Sequence, residues 1–360
     1  MFIIQFVAGL IFLIIGAEIL VRGASNIAAL FKIPPLVVGL TVVAFGTSSP
    51  ELAVSLQSAV AGKADISVGN VVGSNIFNVL FILGLSAIIT PLFVSRQLIK
   101  LDVPIMIGGA ALMLLMVLDG KFSQVDGAIL FAIFLAYTVF MIRTALGEEK
   151  KIQASQPEKA EELKNVRSSR WWLYVIFVIV GLGLLILGSN WLVDSAVTIA
   201  KMFGLSDLVI GATIVAAGTS LPEVATSIIA SIRRQQDIAV GNVVGSNIFN
   251  ILAVFGLTGL FTSGGINVSP AALGFDIPVM VAVMVACLPI FFTGNLISRW
   301  EGILFFGYYL AYTLYLILVS MQHSGTQLFA TGMKYFIIPL TFITLFIIFW
   351  RAYKNRKLHT

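Results

Sequence analysis

The chain has 360 residues, of which 59% are hydrophobic and only 11% are charged. A soluble globular domain carries about 25% charged residues, so this composition excludes a soluble fold. The single cysteine, Cys287, lies in an apolar run and lacks the spacing of a disulfide, metal or redox motif. The net charge of +5 is often a sign of nucleic-acid binding, but here the distribution of basic residues between loops explains it.

Apolar runs long enough to cross about 30 Å of hydrocarbon recur along the whole chain. In chain order they lie near residues 2–21, 36–60, 68–90, 101–118, 125–142, 172–193, 207–231, 240–261, 275–293, 300–319 and 335–350. The one long polar segment, residues 144–170, is typical of a solvated or partly helical linker. We therefore predict an all-α polytopic membrane protein.

The chain contains one unit twice. Residues 69–78 and 241–250 share the sequence GNVVGSNIFN, and the same offset of 172 carries GTSSPE at 46–51 onto GTSLPE at 218–223. Such a repeat indicates a duplication. We predict a five-helix repeat at 1–143, a linker at 144–170, a second five-helix repeat at 171–320, and an additional transmembrane helix at 334–351 with a basic tail.

An odd number of spans per unit places the second unit upside down in the membrane. With the N-terminus outside, the inner loops hold all but four of the 22 Lys and Arg residues. Cytoplasmic loops concentrate Lys and Arg. We therefore predict a multi-pass plasma-membrane protein with an outside N-terminus and with the 144–170 linker and the C-terminus in the cytoplasm. Inverted-topology repeats are typical of secondary transporters.

The motif GTSSPE places a proline and a carboxylate inside an apolar span. Pro50 has no N–H, so the carbonyl of Gly46 loses its helical partner and we expect the helix to kink or break. In hydrocarbon the freed carbonyls need another partner. Glu51 lies four residues after Thr47 and hence on the same helical face.

The two motif glutamates, Glu51 and Glu223, would carry a charge of −2 near the middle of the bilayer. Carboxylates are expensive there, and without a counter-charge one or both would bind protons. No Lys or Arg lies within the spans to pair with them, which leaves a mobile cation. Carboxylate, hydroxyl and carbonyl oxygens form a hard donor set suited to Ca²⁺, Mg²⁺ or Na⁺.

The second motif adds a polar stripe to an apolar helix. The stripe consists of Asn70, Ser74 and Asn78, and its copy of Asn242, Ser246 and Asn250. The motif glycines, Gly69, Gly73, Gly241 and Gly245, would let the helix pack closely. Polar residues in membrane helices more often join helices than bind ligands, and we assign Asn70, Asn75, Asn242 and Asn247 to packing or capping. Glu18, near the end of a span, is interpreted as interfacial.

At these residues the chain resembles the calcium/cation antiporter superfamily, in particular the prokaryotic sodium/calcium exchangers. The resemblance rests on AFGTSSPE and AAGTSLPE, each followed by GNVVGSNIFN, and covers about residues 1–320. It implies a central Ca²⁺ site formed by Glu51 and Glu223 with the carbonyls of Thr47 and Thr219. It implies flanking Na⁺ sites formed by the Ala44 carbonyl, Ser48 and Ser74, and by the Ala216 carbonyl, Ser220 and Ser246, with Asn78 and Asn250 facing the centre.

The resemblance also implies a mechanism. The site would hold either one Ca²⁺ or several Na⁺, and exchange of three Na⁺ for one Ca²⁺ would move one net charge. Some relatives, including potassium-dependent ones, have an aspartate at the position of Asn250, so the asparagine argues against K⁺ co-transport. No cofactor is expected. The expected partners are Ca²⁺, Na⁺ and the lipid bilayer, with no nucleic acid and with the chain acting as a monomer.

Other functions remain open from the sequence. A Ca²⁺/H⁺ antiporter on the same scaffold is the nearest alternative, because two glutamates can exchange protons for Ca²⁺; the paired hydroxyls favour Na⁺. The duplication argues against a channel, and the buried acidic pair argues against a sensor or scaffold. An enzyme is not expected, because no His, Cys or Lys lies near the glutamates in the sequence.

Overall fold

A computed structural model describes residues 2–31, 33–155, 157–202, 216–292, 294–342, 346 and 350. Among these residues, eight helices are long and apolar enough to cross a membrane, and a bent helix pair is a ninth candidate. The predicted helical, polytopic class is confirmed. The runs predicted at 207–231 and 335–350 lie partly outside the described residues, so the full count of spans stays a prediction.

The helices are labelled in chain order. They are α1 (Phe2–Phe31), α2 (Pro35–Val38), α3 (Ala44–Thr47), α4 (Ser49–Val60), α5 (Ala64–Phe77), α6 (Gly84–Ile89), α7 (Val103–Met116), α8 (Gln124–Ser155), α9 (Pro157–Met202), α10 (Ala216–Gly218), α11 (Leu221–Ile232), α12 (Gln236–Phe249), α13 (Gly256–Phe261), α14 (Ile277–Phe292), α15 (Arg299–Ser320) and α16 (Thr326–Gly332). Wider π-helical turns occupy Gly39–Val43, Asn78–Leu83, Leu98–Asp102, Asn250–Phe255, Ala272–Asp276 and Met333–Ile337.

Four two-residue strands lie in the loops, and their pairing indicates how the two units are oriented relative to each other. They are β1 (Leu92–Phe93), β2 (Lys121–Phe122), β3 (Ile266–Asn267) and β4 (Leu296–Ile297). β1 pairs antiparallel with β4, and β2 with β3. Each pair therefore joins the loop after the third span of one unit to the loop after the fourth span of the other. Those loops share a side of the membrane only when the two units have opposite orientations.

Glycines bring α1 and α9 into close antiparallel contact. Gly9 lies against Gly188, and Gly16 lies against Gly181. A Cβ atom built on Gly181 would lie 2.7 Å from the backbone nitrogen of Leu20, so no larger residue fits without moving the helix. The four glycines are related by the offset of 172 and meet crosswise, which is the small-residue packing common between membrane helices.

The third span of each unit forms the centre of the molecule. Ala64–Ile89 and Gln236–Phe261 are the most buried of the candidate spans. The predicted close packing holds for one copy of the motif: Gly245 lies against the backbone of Leu40. No described residue comes within 4 Å of a Cβ atom built on Gly69 or Gly73, so the contact predicted for that pair is not seen.

The segment between the units is more regular than a solvated linker. α8 extends to Ser155 and α9 begins at Pro157, so most of residues 144–170 are helical. The sequence is rich in Ala, Glu and Lys, which have high intrinsic helix propensity. This propensity explains why the polar segment continues the helices on either side.

We predict that Gly181→Ala destabilises the protein, because the new Cβ would collide with the backbone of α1. Overpacking of this kind typically costs about 1–3 kcal/mol. Gly183→Ala is the matched control, because no described atom lies within 4 Å of its Cβ position. Thermal unfolding in detergent should show a lower midpoint for the first variant only. Equal midpoints would contradict the close contact of α1 with α9.

Candidate cation-binding site

The proline motif breaks the second span of the first unit, as predicted. α3 ends at Thr47 and α4 begins at Ser49, and the helical run Pro35–Thr47 meets α4 at an angle of 44°. Between them Ser48 has a non-helical backbone, with φ −87° and ψ 9°. The equivalent Ser220 in the second unit has φ −90° and ψ 8°. The same sequence therefore produces the same break twice.

Each break places a glutamate in the first turn of a helix. Glu51 lies in the first turn of α4 and Glu223 in the first turn of α11. The partial positive charge of a helix N-terminus favours a carboxylate, which offsets part of the cost of burial. Both side chains are fully buried.

The serines at the breaks bind the glutamates crosswise. Ser48 donates a hydrogen bond to Oε1 of Glu223 at 2.7 Å, and Ser220 donates one to Oε1 of Glu51 at 2.8 Å. In each carboxylate the other oxygen, Oε2, has no hydrogen-bond partner among the described residues. Two buried carboxylate oxygens are thus left for a ligand.

An asparagine of the third span supports each break. Asn70 donates to the carbonyl of Glu51 at 3.1 Å and to the hydroxyl of Ser55 at 2.8 Å. It accepts from the hydroxyl of Thr219, in the other unit, at 3.3 Å. Asn70 therefore satisfies a carbonyl near the break and links the two units, which agrees with the packing role predicted for it.

The second unit repeats this support. Asn242 donates to the carbonyl of Glu223 at 3.5 Å and to Ser227 at 2.9 Å, and Thr47 donates to it at 3.1 Å. Ser55 and Ser227 were not predicted as part of the site. They are related by the offset of 172 and lie four residues after the glutamates, so the duplication carries the signal that would have found them.

The remaining hydroxyls are grouped across the units. Ser74 contacts Ser220 at 3.2 Å, and Ser246 donates to Glu223 at 3.4 Å, beside Ser48. The family resemblance implied Ser74 with Ser48 and Ser246 with Ser220. In the structure the hydroxyls gather around each carboxylate instead, because each broken helix reaches into the other unit.

The other predicted ligands also lie at this centre or at the breaks. Asn78 donates to Asn247 at 3.1 Å; its Oδ1, and both polar side-chain atoms of Asn250, have no partner in the described part of the chain. The Ala44 carbonyl accepts the N–H of Ser48 at 3.0 Å and a longer hydrogen bond from the Thr47 hydroxyl at 3.4 Å. Ala216 begins α10.

The site is built from oxygen and amide groups. Within the described ranges, no group of three or more His, Cys, Asp or Glu residues could hold a metal ion. No described Lys or Arg forms an ion pair with Glu51 or Glu223. Glu18 lies elsewhere and pairs with Arg22 and with Arg233, the latter at 2.6 Å. The donor set suits a hard cation.

Comparison with known proteins identifies the family. A profile described as "Sodium/calcium exchanger protein" matches residues 1–143 and 173–318. The chain belongs to the sodium/calcium exchanger family. Its members are transporters and not an enzyme class, and the chain is accordingly a multi-pass membrane antiporter for Ca²⁺ and another cation.

Individual relatives agree with this assignment. The chain is 40% identical over 283 residues to a putative antiporter, CaxA, of Alkalimonas amylolytica, covering 78% of this chain and 86% of that protein. It is 32% identical over 342 residues to the sodium/calcium exchanger MaX1 of Methanosarcina acetivorans, covering 86% and 97%. A solved structure of the sodium-calcium exchanger NCX_Mj matches with a TM-score of 0.73 at 30% identity, covering 89% of this chain and 97% of that one.

We predict that Ser48→Ala weakens cation binding, because it removes the hydrogen bond that orients the Glu223 carboxylate. Loss of such a supporting contact typically costs about 10- to 100-fold in metal affinity. Ser49→Ala is the matched control, because the Ser49 hydroxyl donates to the carbonyl of Phe45, four residues earlier in the same unit, and not to a glutamate. The measurement is the rise of the unfolding midpoint with added Ca²⁺ or Na⁺ in detergent. A similar loss in both variants would contradict a special role for Ser48.

Proposed function

We propose that the protein exchanges Na⁺ for Ca²⁺ across the membrane by alternating access. The observation that supports this most is the pair of fully buried carboxylates whose hydrogen bonds come from hydroxyl groups. Ionised, the pair needs a counter-charge, and among the described residues no basic side chain supplies one. A divalent cation or several monovalent cations would neutralise the same site.

The proposed ligands follow the motif residues. Ca²⁺ would lie between the carboxylates of Glu51 and Glu223, with the carbonyls of Thr47 and Thr219. Na⁺ would bind beside them, and the ligands proposed for it are Ser48, Ser74, Ser220, Ser246 and the carbonyls of Ala44 and Ala216, with Asn78 and Asn250 facing the centre. Hydroxyl and carbonyl oxygens are suited to Na⁺, whereas proton transfer to a carboxylate needs neither.

Exchange then follows from electrostatics. A site that holds Ca²⁺ or Na⁺ is neutralised well enough to be carried through a low-dielectric interior, whereas the empty site with its charge of −2 is not. The two cations compete for the same carboxylates, so one leaves as the other binds. The exchange of three Na⁺ for one Ca²⁺ would be electrogenic.

The proposed location is the plasma membrane, with the N-terminus outside and the C-terminus inside. This orientation rests on the distribution of Lys and Arg, of which only Lys63, Lys121, Lys201 and Lys334 fall on the outer side. Ca²⁺ and Na⁺ are the only ligands that the mechanism requires, and a single chain holds both carboxylates.

We predict that proteoliposomes loaded with Na⁺ take up ⁴⁵Ca²⁺, whereas vesicles loaded with K⁺ or choline do not. Glu51→Gln and Glu223→Gln should each abolish uptake, because one charge is lost from the site. Glu301→Gln is the control: Glu301 is also buried, but it caps α15 by bonding to Ser298, a role that Gln also fills.

Vesicles with an imposed pH gradient and no Na⁺ form the opposing arm of the same experiment. Uptake driven by protons alone would replace Na⁺ with H⁺ as the counter-ion, and the protein would be a Ca²⁺/H⁺ antiporter. Uptake that survives in both glutamine variants would reject the proposed site whatever the counter-ion is.

We also predict that membrane potential changes the rate. Each cycle of Ca²⁺ uptake against three Na⁺ moves one positive charge out of the vesicle, and a charge that crosses 100 mV changes its energy by about 2.3 kcal/mol. An inside-positive potential, set with valinomycin and external K⁺, should therefore accelerate uptake. A rate independent of the potential would show electroneutral exchange.

A further inference from the structure

A cavity lies between the second unit and the chain that follows it. Its walls come from α14, α15 and the segment from α16 to Phe342, and its volume is about 570 Å³. The third wall lies beyond residue 318, where the match to the exchanger family ends. One wall of the cavity therefore lies outside the part of the chain that matches the family, and none of the residues lining the cavity is a proposed cation ligand.

The cavity is long and narrow. Along α14 and the turn before it, the lining residues run from Phe275 to Ile290, which at 1.5 Å per residue is about 22 Å. The hydrocarbon of one bilayer leaflet is about 15 Å thick, half of the full core. The cavity is therefore long enough for an extended acyl chain.

The two ends of the cavity differ in polarity. Lys334, Tyr312 and Tyr315 line one end, where Phe275 packs on the Tyr315 ring at 4.6 Å and the Tyr312 hydroxyl donates to Asp276, just outside the lining, at 2.9 Å. Among the described residues, the apolar side chains of Ile290, Leu304 and Phe342 line the other end. Aromatic and basic residues are typical of the membrane–water interface, so the polar end lies where lipid head groups lie.

The polar atoms inside the walls are satisfied by each other. Tyr308 donates to the hydroxyl of Thr341 at 2.7 Å and so joins α15 to the last segment. The wall thus presents a surface that offers water few hydrogen bonds, and water is stable in a cavity only when it finds two to four polar partners. An apolar molecule from the surrounding bilayer needs no hydrogen bonds and therefore suits this surface better than water does.

We propose that the cavity binds one glycerophospholipid, with an acyl chain between α14, α15 and the last segment and the head-group phosphate against Lys334. The exposed ammonium of Lys334 supplies the charge complementary to the phosphate. The acyl chain fills the apolar part and holds the C-terminal segment against the second unit. The bound lipid has a structural role and takes no part in cation binding.

The test is native mass spectrometry of the full chain purified in a mild detergent. The wild type should retain one phospholipid, identified by its mass and by its fatty acids after extraction. Ala286→Phe and Ala330→Phe fill the cavity from opposite walls, and each should lower the lipid-bound fraction at least tenfold. Val285→Phe is the matched control, because Val285 is the next residue of α14 but faces out of the cavity and is exposed.

A second comparison tests the head group. Lys334→Gln should lower the bound fraction several-fold when delipidated protein is titrated with phosphatidylglycerol, and should not change the binding of a nonionic diacylglycerol. Retention of the lipid by both Phe variants would overturn the proposal. A wild type that carries no lipid and does not differ from these variants would also overturn it. A mass shift that corresponds to detergent or to a second copy of the chain would also overturn it.

Discussion

The structure depends on two carboxylates that are held in a dry interior without a basic partner. Glu51 and Glu223 each use one oxygen to accept a hydrogen bond from a serine of the other unit, and each keeps one oxygen free of described partners. Buried charges persist only when they are paired or coordinate a cation. The helix breaks, the asparagine tethers and the close glycine contacts all serve to hold this pair in place.

Duplication gives each unit half of a site that neither can complete. Ser48 orients the glutamate of the second unit, and Ser220 orients that of the first. Because these hydrogen bonds cross between the units, a displacement of one unit changes the coordination around both carboxylates. Under the proposed exchange mechanism, this crossed arrangement would couple binding at the centre to movement of the units, and the coupling would be lost if each unit satisfied its own glutamate.

The sequence predicted the elements that depend on local chemistry. Pro50 has no N–H, so the break and the position of Glu51 followed from the sequence, and the offset of 172 supplied the second copy. The crossed pairing could not be predicted, because spacing along a helix says nothing about which unit faces it. For the same reason the hydroxyls were grouped within units. Ser55, whose partner Asn70 belongs to its own unit, was overlooked although its copy Ser227 lies at the offset of 172. The linker was predicted as solvated or partly helical, and the Ala, Glu and Lys residues in it account for the extent of its helices.

The two units are not fully interchangeable. Ser189 donates to the carbonyl of Gly218 at 2.7 Å, but its counterpart, Ala17, has no hydroxyl to donate to Gly46. The ion pair of Glu18 with Arg233 is likewise unrepeated, since their counterparts are Asn190 and Ala61. In transporters with inverted repeats, alternating access is largely a rocking of one repeat against the other. Contacts made by one unit only would therefore weigh on such a movement from one side, because the two units share their chemistry at the glutamates but not the contacts around it.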